Sequence, residues 1–232
     1  MSDTRPANPA SAGLAFWRIA APDGAGRLPS GFLTAAPGLP GHAVPMEVGL
    51  LLPAGQGQGS IIDSVSNDPL VAHGMGVGLF MANPFLDVDR EAARLRSAGV
   101  HWVANLPSTH QQDAEFRQQL EDVGLDWQRE VGCLARFGAL GLKRLAVLCD
   151  EASCTDVLAA GPEAIAILPR VADFAAGFPS MLRRGGSAQA VAGTLRAKGW
   201  DGPVLVLGSE AEAASPTLWP HGVDGLLLRP VL

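Results

Sequence analysis

Five glycines set the rhythm of this chain. Gly99, Gly141, Gly161, Gly199 and Gly222 each stand a few residues ahead of a short apolar run: HWVANL (101–106), RLAVLC (144–149), AIAILP (164–169), PVLVLG (203–208) and GLLLRP (225–230). Glycine tolerates the left-handed position just past a helix end better than any other residue. Each glycine therefore reads as a helix terminus. Each run reads as a strand buried on both faces. Strict alternation of helix and buried strand requires a parallel sheet with right-handed crossovers.

The stretch 99–124 shows one complete unit. Its strand, His101 to Leu106, stops at Pro107 and enters a polar loop, Ser108-Thr109-His110. Phe116, Leu120 and Val123 then recur at helical spacing, predicting a buried stripe that Gly124 closes. Upstream, VGLFMA (77–82) predicts a strand, followed by a helix over about 88–98 with Asp87 as its N-cap. A further helix is expected over about 127–140. At the N-terminal end LAFWRIAA (14–21), GFLTAA (31–36) and VGLLLPA (48–54) are strand candidates, of which two count if one is a loop edge. APGLPGHAVP (36–45) cannot be regular structure.

About eight strands in one chain predict an α/β fold of the (β/α)8 TIM-barrel class, with residues 14–232 as a single domain and 1–13 as a disordered tail. An open doubly wound sheet is the alternative, but its glycine-rich turn after the first strand is missing. Two outer helices look absent: there is little room between 21 and 31, and the chain stops soon after Pro230. One parity of Leu226, Leu227 and Leu228 must then face outward, and Phe16, Trp17 and Ile19 raise the same difficulty. An uncovered apolar patch of that kind predicts a homo-oligomer or a complex with a separately encoded domain.

Charged residues are 17% of the chain and the net charge is −6. That balance excludes a nucleic-acid partner. No apolar run approaches the roughly 18 residues of a membrane span. Residues 1–13 lack the basic and apolar regions of a signal peptide, so a cytoplasmic location is expected. Cys133, Cys149 and Cys154 have no CxxC spacing, so a zinc site or disulfide framework is not expected. They read as small buried hydrophobes. GQGQGS (55–60) is glycine-rich enough to cradle a phosphate, yet lacks the lysine of GxxxxGK[ST] and reads as a plain mobile loop.

A barrel of this class carries its site at the C-terminal ends of its strands. Those ends hold Asn83, Asn105, Ser108, His110, Asp150, Arg170, Ser209, Glu210 and Arg229. His110 and Glu210 are the acid–base candidates, His110 because imidazole titrates near neutral pH. Asn83, Asn105, Ser108, Arg170, Ser209 and Arg229 are the substrate-binding candidates. The two arginines suit a carboxylate or phosphate. Asn105, inside a buried run, needs hydrogen-bond partners, which a ligand or a neighbouring loop can supply. Asp150 can equally cap the helix after it. No metal ligands or cofactor are expected; the expected partner is a small anionic molecule.

The NPFLDVDR (83–90), VANLPS (103–108) and FRQQLEDVG (116–124) stretches, with Glu130-Val131 and Gly161, resemble the phosphoenolpyruvate hydrolase-like TIM-barrel family, also called the TIM-barrel signal-transduction family. The resemblance runs over about 48–169. It implies a barrel and a hydrolysis or lyase step on a small phosphorylated or oxo acid. Family members carry Asp-Pro where this chain has Asn83-Pro84, and Asn-Phe-Pro-Thr where it has Asn105-Leu106-Pro107-Ser108. Their Gly-Asp-Ala-Asn, His-Met-Gly and His-Gly-Gly types of loop are replaced here by Gly55-Gln56-Gly57-Gln58, Leu168-Pro169-Arg170 and Gly208-Ser209-Glu210. The resemblance therefore leaves two readings: an enzyme with changed chemistry, or a binding or assembly subunit that has lost the family's active site.

Overall fold

The computed structural model describes residues 16–20, 31–34, 57–67 and 75–229. In chain order the strands and helices are β1 (Phe16–Ala20), β2 (Gly31–Leu33), α1 (Gly57–Asn67), β3 (Met75–Gly78), α2 (Val88–Ser97), β4 (Trp102–Ala104), α3 (Ala114–Asp122), α4 (Trp127–Ala139), β5 (Lys143–Leu148), α5 (Cys154–Ala159), β6 (Ala164–Ile167), α6 (Met181–Ala197), β7 (Val204–Gly208), α7 (Glu210–Ala213) and β8 (Gly225–Leu228). All eight strands pair in parallel, each with the next. β8 returns to β1 through the register Arg18↔Leu228, closing the barrel.

Gly99, Gly141, Gly161 and Gly199 each follow a helix C-cap directly and have positive φ, between 64° and 89°, as the helix-ending role requires. Gly222 also has positive φ but ends no helix, lying instead in the turn where Val223 N donates to Pro220 O. Asp87 caps α2 by accepting from Arg90 N. Alternation along the strands splits the apolar residues into two cores. Trp17, Phe32, Leu145, Val147, Leu205 and Leu227 pack together inside the barrel. Their neighbours Ala146, Leu148, Ile165, Val206 and Leu226 pack outward with Leu95, Leu134, Phe137 and Leu195 from the helices. Full burial of a side chain such as Phe137 is worth about 1.5–3 kcal/mol, so this layer does much to hold the helices down. Inside, Trp17 meets Phe32 at 4.9 Å and Trp102 edge-on at 4.7 Å. The Phe32 ring lies so close to Gly76 that it leaves no room for a Cβ there.

Several expectations change. Leu226, Leu227 and Leu228 are all buried, as are Trp17 and Ile19, so these residues leave no uncovered apolar patch and no premise for a covering partner. The end of GQGQGS is not a loop: Gly57 to Ser60 form the first turn of α1, whose Ile61, Ile62 and Val65 are buried. A buried stripe outweighs the poor helix propensity of two glycines. The stripe expected at Phe116, Leu120 and Val123 does form a helix, but α3 buries no residue and Val123 is 67% exposed. The β4–β5 connection holds two helices, and α4 takes the place against the barrel with Cys133, Leu134 and Phe137. The 77–82 strand starts earlier and ends at Gly78, because the chain turns where Asn83 N donates to Phe80 O. The 101–106 strand is shorter too: only Trp102–Ala104 stay in the ladder.

The tail at 1–13, the 36–45 stretch, VGLLLPA at 48–54 and the space between β1 and β2 lie outside the described residues.

Candidate functional site

The mouth of the barrel above β4 and β6 is apolar. Leu106, Leu168 and Phe174 are buried there and join the interior core, with Phe178 packed against them. The polar groups predicted for the site lie around this plug, in four separate clusters.

The first is built on Glu130. This residue sits in the first turn of α4, fully buried, and no cation accompanies it among the described residues. Its carboxylate accepts from Asn105 Nδ2, from Thr109 N at 2.8 Å and from Thr109 Oγ1 at 2.8 Å. Burial pushes its carboxyl above the usual range, against the lowering effect of the Ser108, Asn105 and Thr109 hydrogen bonds. Asn105 donates a second time, to Val147 O at 3.0 Å, and accepts from Val147 N at 2.7 Å. Ser108 is buried and caps the short 3-10 turn Thr109–Gln111 in a reciprocal box with Gln111. The predicted polar loop is thus a buried, internally bonded turn. Its purpose is visible in its geometry: it holds His110 at the rim.

His110 belongs to the second cluster. Its ring stacks on Trp127 at 3.9 Å, and Nδ1 lies 2.8 Å from Ser153 Oγ. The Ser153 hydroxyl donates to Asp150 Oδ1 at 2.8 Å. Its single proton is used there, so Nδ1 carries the hydrogen shared with Ser153. Asp150 Oδ2 accepts from Arg170 Nη2 at 2.8 Å. Asp150 also caps the 3-10 turn Glu151–Ser153. The result is one chain of bonds, His110–Ser153–Asp150–Arg170, crossing the ends of β4, β5 and β6. Burial holds the imidazole below its usual range; Asp150 acts against this, and Arg117 and Arg170 add to it. Asp150 lies below the usual carboxylate range: its burial acts upward, but Ser153, His110 and Arg170 outweigh it.

The chain has an opening on each side. Beside Arg170 is a crevice of about 330 Å³ between the ends of β5, β6 and β7 and the start of α6, lined by Asp150, Arg170, Arg183, Arg184 and Ser187 among others. Arg183 is exposed and has no ion-pair partner among the described residues. Beside His110 is a groove of about 450 Å³ under α3, lined by Arg117, Glu121, Asp126 and Trp127. Cys149 lines the first crevice, but burial pushes its thiol far above the range of a nucleophile; Cys154 is pushed up to about 11.

The third cluster is built on Arg184 of α6. The guanidinium is buried, donates to Leu207 O at 2.8 Å and to Pro179 O, and pairs with Glu212. Glu212 in turn accepts from Ser209 N and Oγ, so Ser209 is a cap of α7. Arg184 and Arg229 both lie over Phe178, at 4.7 and 4.4 Å. In the fourth, Glu210 is paired with Arg18 of β1 and bonds to neither His110 nor Arg170. Asn83 is held at the β3 side: its Oδ1 accepts from Phe85 N at 2.9 Å in a tight turn, and its carbonyl accepts from Arg129 Nη2 of α4 at 3.1 Å.

Of the predicted residues, then, the structure brings His110 and Arg170 into one chain, and Asn105 and Ser108 into another. It leaves Glu210, Ser209, Arg229 and Asn83 elsewhere. Sequence reading missed Ser153, Arg183 and Arg184. The Asp-x-x-Ser spacing of Asp150 and Ser153 was a usable signal, since a cap three residues ahead selects that geometry. No group of three or more His, Cys, Asp or Glu side chains able to hold a metal occurs among the described residues. Nor is any helix there long and apolar enough to cross a membrane.

The fold defines a TIM barrel, a closed parallel (β/α)8 scaffold. Its sequence places it more narrowly: residues 57–172, half of the chain, match the model of the family described as phosphoenolpyruvate hydrolase-like, and the chain belongs to that family. No curated protein matches it. Among solved structures, a racemase from Streptomyces coelicolor A3(2) with bound magnesium is similar at 14% identity and a TM-score of 0.43, over 74% of this chain and 44% of that one. This chain thus spans less than half of that protein's length.

Proposed function

We propose that this chain is a divergent phosphoenolpyruvate hydrolase-like barrel that binds a small phosphorylated or oxo carboxylic acid in the crevice beside Arg170, as a binding subunit without the family's catalysis. The observation that carries this reading is the crevice itself, which offers Arg170, Arg183 and the Ser187 hydroxyl to an anion. Arginine suits such a ligand because its planar fork matches two oxygens of a carboxylate or phosphate. Among the described residues that line the crevice, no group is poised for acid–base turnover. Asp150 is ionised and held by Arg170, and the Cys149 thiol stays protonated. Above β4 and β6, on the rim where a barrel enzyme places its reacting groups, the described space is filled by Leu106, Leu168 and Phe174.

Calorimetric titration with phosphoenolpyruvate, pyruvate and inorganic phosphate tests the reading, alongside an assay for pyruvate and phosphate release. Binding that weakens at least tenfold in Arg170→Ala and Arg183→Ala, without product release, is expected. Product release above the uncatalysed rate refutes it in favour of the hydrolase or lyase reading. That second reading has one specific support: with Nδ1 bonded to Ser153, His110 keeps Nε2 for the groove, where a neutral imidazole can act as a base.

A further inference from the structure

The anion crevice and the His110 groove are separate openings, yet the four groups between them form an unbroken line. Arg170 faces the crevice at one end. His110 faces the groove at the other. Between them stand Asp150 and Ser153, each bonded on both sides at 2.8 Å. An anion that engages Arg170 competes with Asp150 for the same guanidinium. The Asp150 carboxylate then has one partner fewer, and its charge is felt more strongly through Ser153. Its other carboxylate oxygen stays fixed, because Asp150 Oδ1 also accepts from Ser153 N at 3.2 Å in the cap of the turn.

We propose that Ser153 is a positioning residue that couples the two openings, so that an anion held at Arg170 raises the proton affinity of His110, and protonation of His110 tightens the anion. The second half follows from the first, because a coupling free energy between two sites is reciprocal. Protonation takes place at Nε2, since Nδ1 already carries the hydrogen shared with Ser153, so titration leaves the chain of bonds intact. The charges that face the imidazole are consistent with this direction. Asp150 and Asp156 (of α5) favour the imidazolium, while Arg117 (of α3) and Arg170 oppose it. Glu121 and Asp126 line the same groove, and Trp127 covers one face of the ring. An anion on Arg170 cancels one of the two opposing charges and releases one of the two favouring ones. Both changes act in the same direction.

The anion half of the proposal rests on the crevice reading given above; the coupling half does not. NMR titration of the His110 imidazole, assigned by its loss in His110→Gln, separates the two. Without any anion, Asp150→Asn keeps the cap and both hydrogen bonds from Ser153 but removes the charge. The His110 midpoint then falls by about half a unit or more. Ser153→Ala removes the bridge, and the same Asp150→Asn change made on that background has less than half the effect. An unchanged midpoint in Asp150→Asn, or an undiminished effect in the double variant, overturns the coupling. A merely structural role for Ser153 lowers the melting temperature without altering that ratio. Sulfate, whose charge is constant over the titration, then serves as the anion probe. A raised midpoint in sulfate completes the proposal. Sulfate that binds without moving His110 overturns it. If sulfate does not bind at all while Asp150→Asn still shifts His110, the coupling stands and the crevice reading fails.

Discussion

The side-chain amide of Asn105 replaces a backbone unit opposite Val147. It accepts from Val147 N at 2.7 Å and donates to Val147 O at 3.0 Å, continuing the β4–β5 ladder past the point where β4 ends. Its second amide hydrogen goes to Glu130, so the oxygen and both hydrogens are in use.

Asn105→Ala is therefore expected to weaken the fold. It leaves Val147 N and O and one Glu130 oxygen without their partner in a dry place. A cost of about 1–3 kcal/mol for an unsatisfied buried group sets the scale. Urea unfolding measures it, and calorimetry should show anion binding at the Arg170 crevice unaltered. Asn105→Asp should be worse than Asn105→Ala at neutral pH, because it sets a second carboxylate against Glu130. That gap should close in acid. A variant as stable as the parent, with binding lost, would return Asn105 to the ligand.

Glu130 supplies a pH test with a fixed sign. Burial raises its carboxyl above the ordinary value of 4.5. The fold therefore favours the protonated form. The stability this contributes is present below 4.5 and lost as pH rises through the folded-state value. Glu130→Gln cannot titrate. Whatever its offset, its stability relative to the parent should improve as pH is raised from 4.5. Matched denaturation curves at several pH values check this. A difference that drifts the other way means the three donors outweigh burial.

How far the sequence discloses this molecule depends on whether a residue answers to a local rule. Gly99 or Gly199 does, since a backbone that must turn left-handed after a helix selects glycine whatever surrounds it. The barrel was legible for that reason. The helix at Ala114–Asp122 shows the opposite case. Phe116, Leu120 and Val123 have correct helical spacing, but only one of two consecutive helices can reach the barrel wall, and spacing does not say which. Strand-end position found His110, Asp150 and Arg170, because parallel strands deliver their ends to one rim. It could not tell that Ser209 and Ser108 are used up as caps, or that Glu210 is claimed by Arg18, which lies nearly two hundred residues earlier in the chain.

His110 gives the reverse pH dependence. Burial keeps its folded-state value below 6.5. The unfolded chain protonates first as pH falls, so stability is present above 6.5 and lost progressively below it. His110→Gln should flatten that acid-side slope, and His42, His73, His101 and His221 remain as internal background. A slope unchanged in His110→Gln shows that the imidazole is not desolvated enough to matter.

Arg184 should be the least replaceable charged residue in the described structure. Its guanidinium holds Leu207 O, Pro179 O and Glu212 together, with the Phe178 ring beneath it. Burial lowers its proton affinity and Glu212 acts against this, but a guanidinium stays charged either way, so what Glu212 supplies is a partner for a buried charge. Lysine supplies the charge but not the fork, and Arg184→Lys should fall well short of the parent. Arg184→Met leaves Glu212 partly buried and unpaired, and a loss of about 3–5 kcal/mol is the scale for breaking such a pair from one side. Glu212→Gln removes the stranded charge while still accepting from Ser209. The double variant Arg184→Met with Glu212→Gln should therefore be more stable than Arg184→Met alone, as read in a double-mutant cycle by urea unfolding. If the two losses simply add, the pair is not coupled, and the role of Arg184 lies in the two carbonyls it bridges.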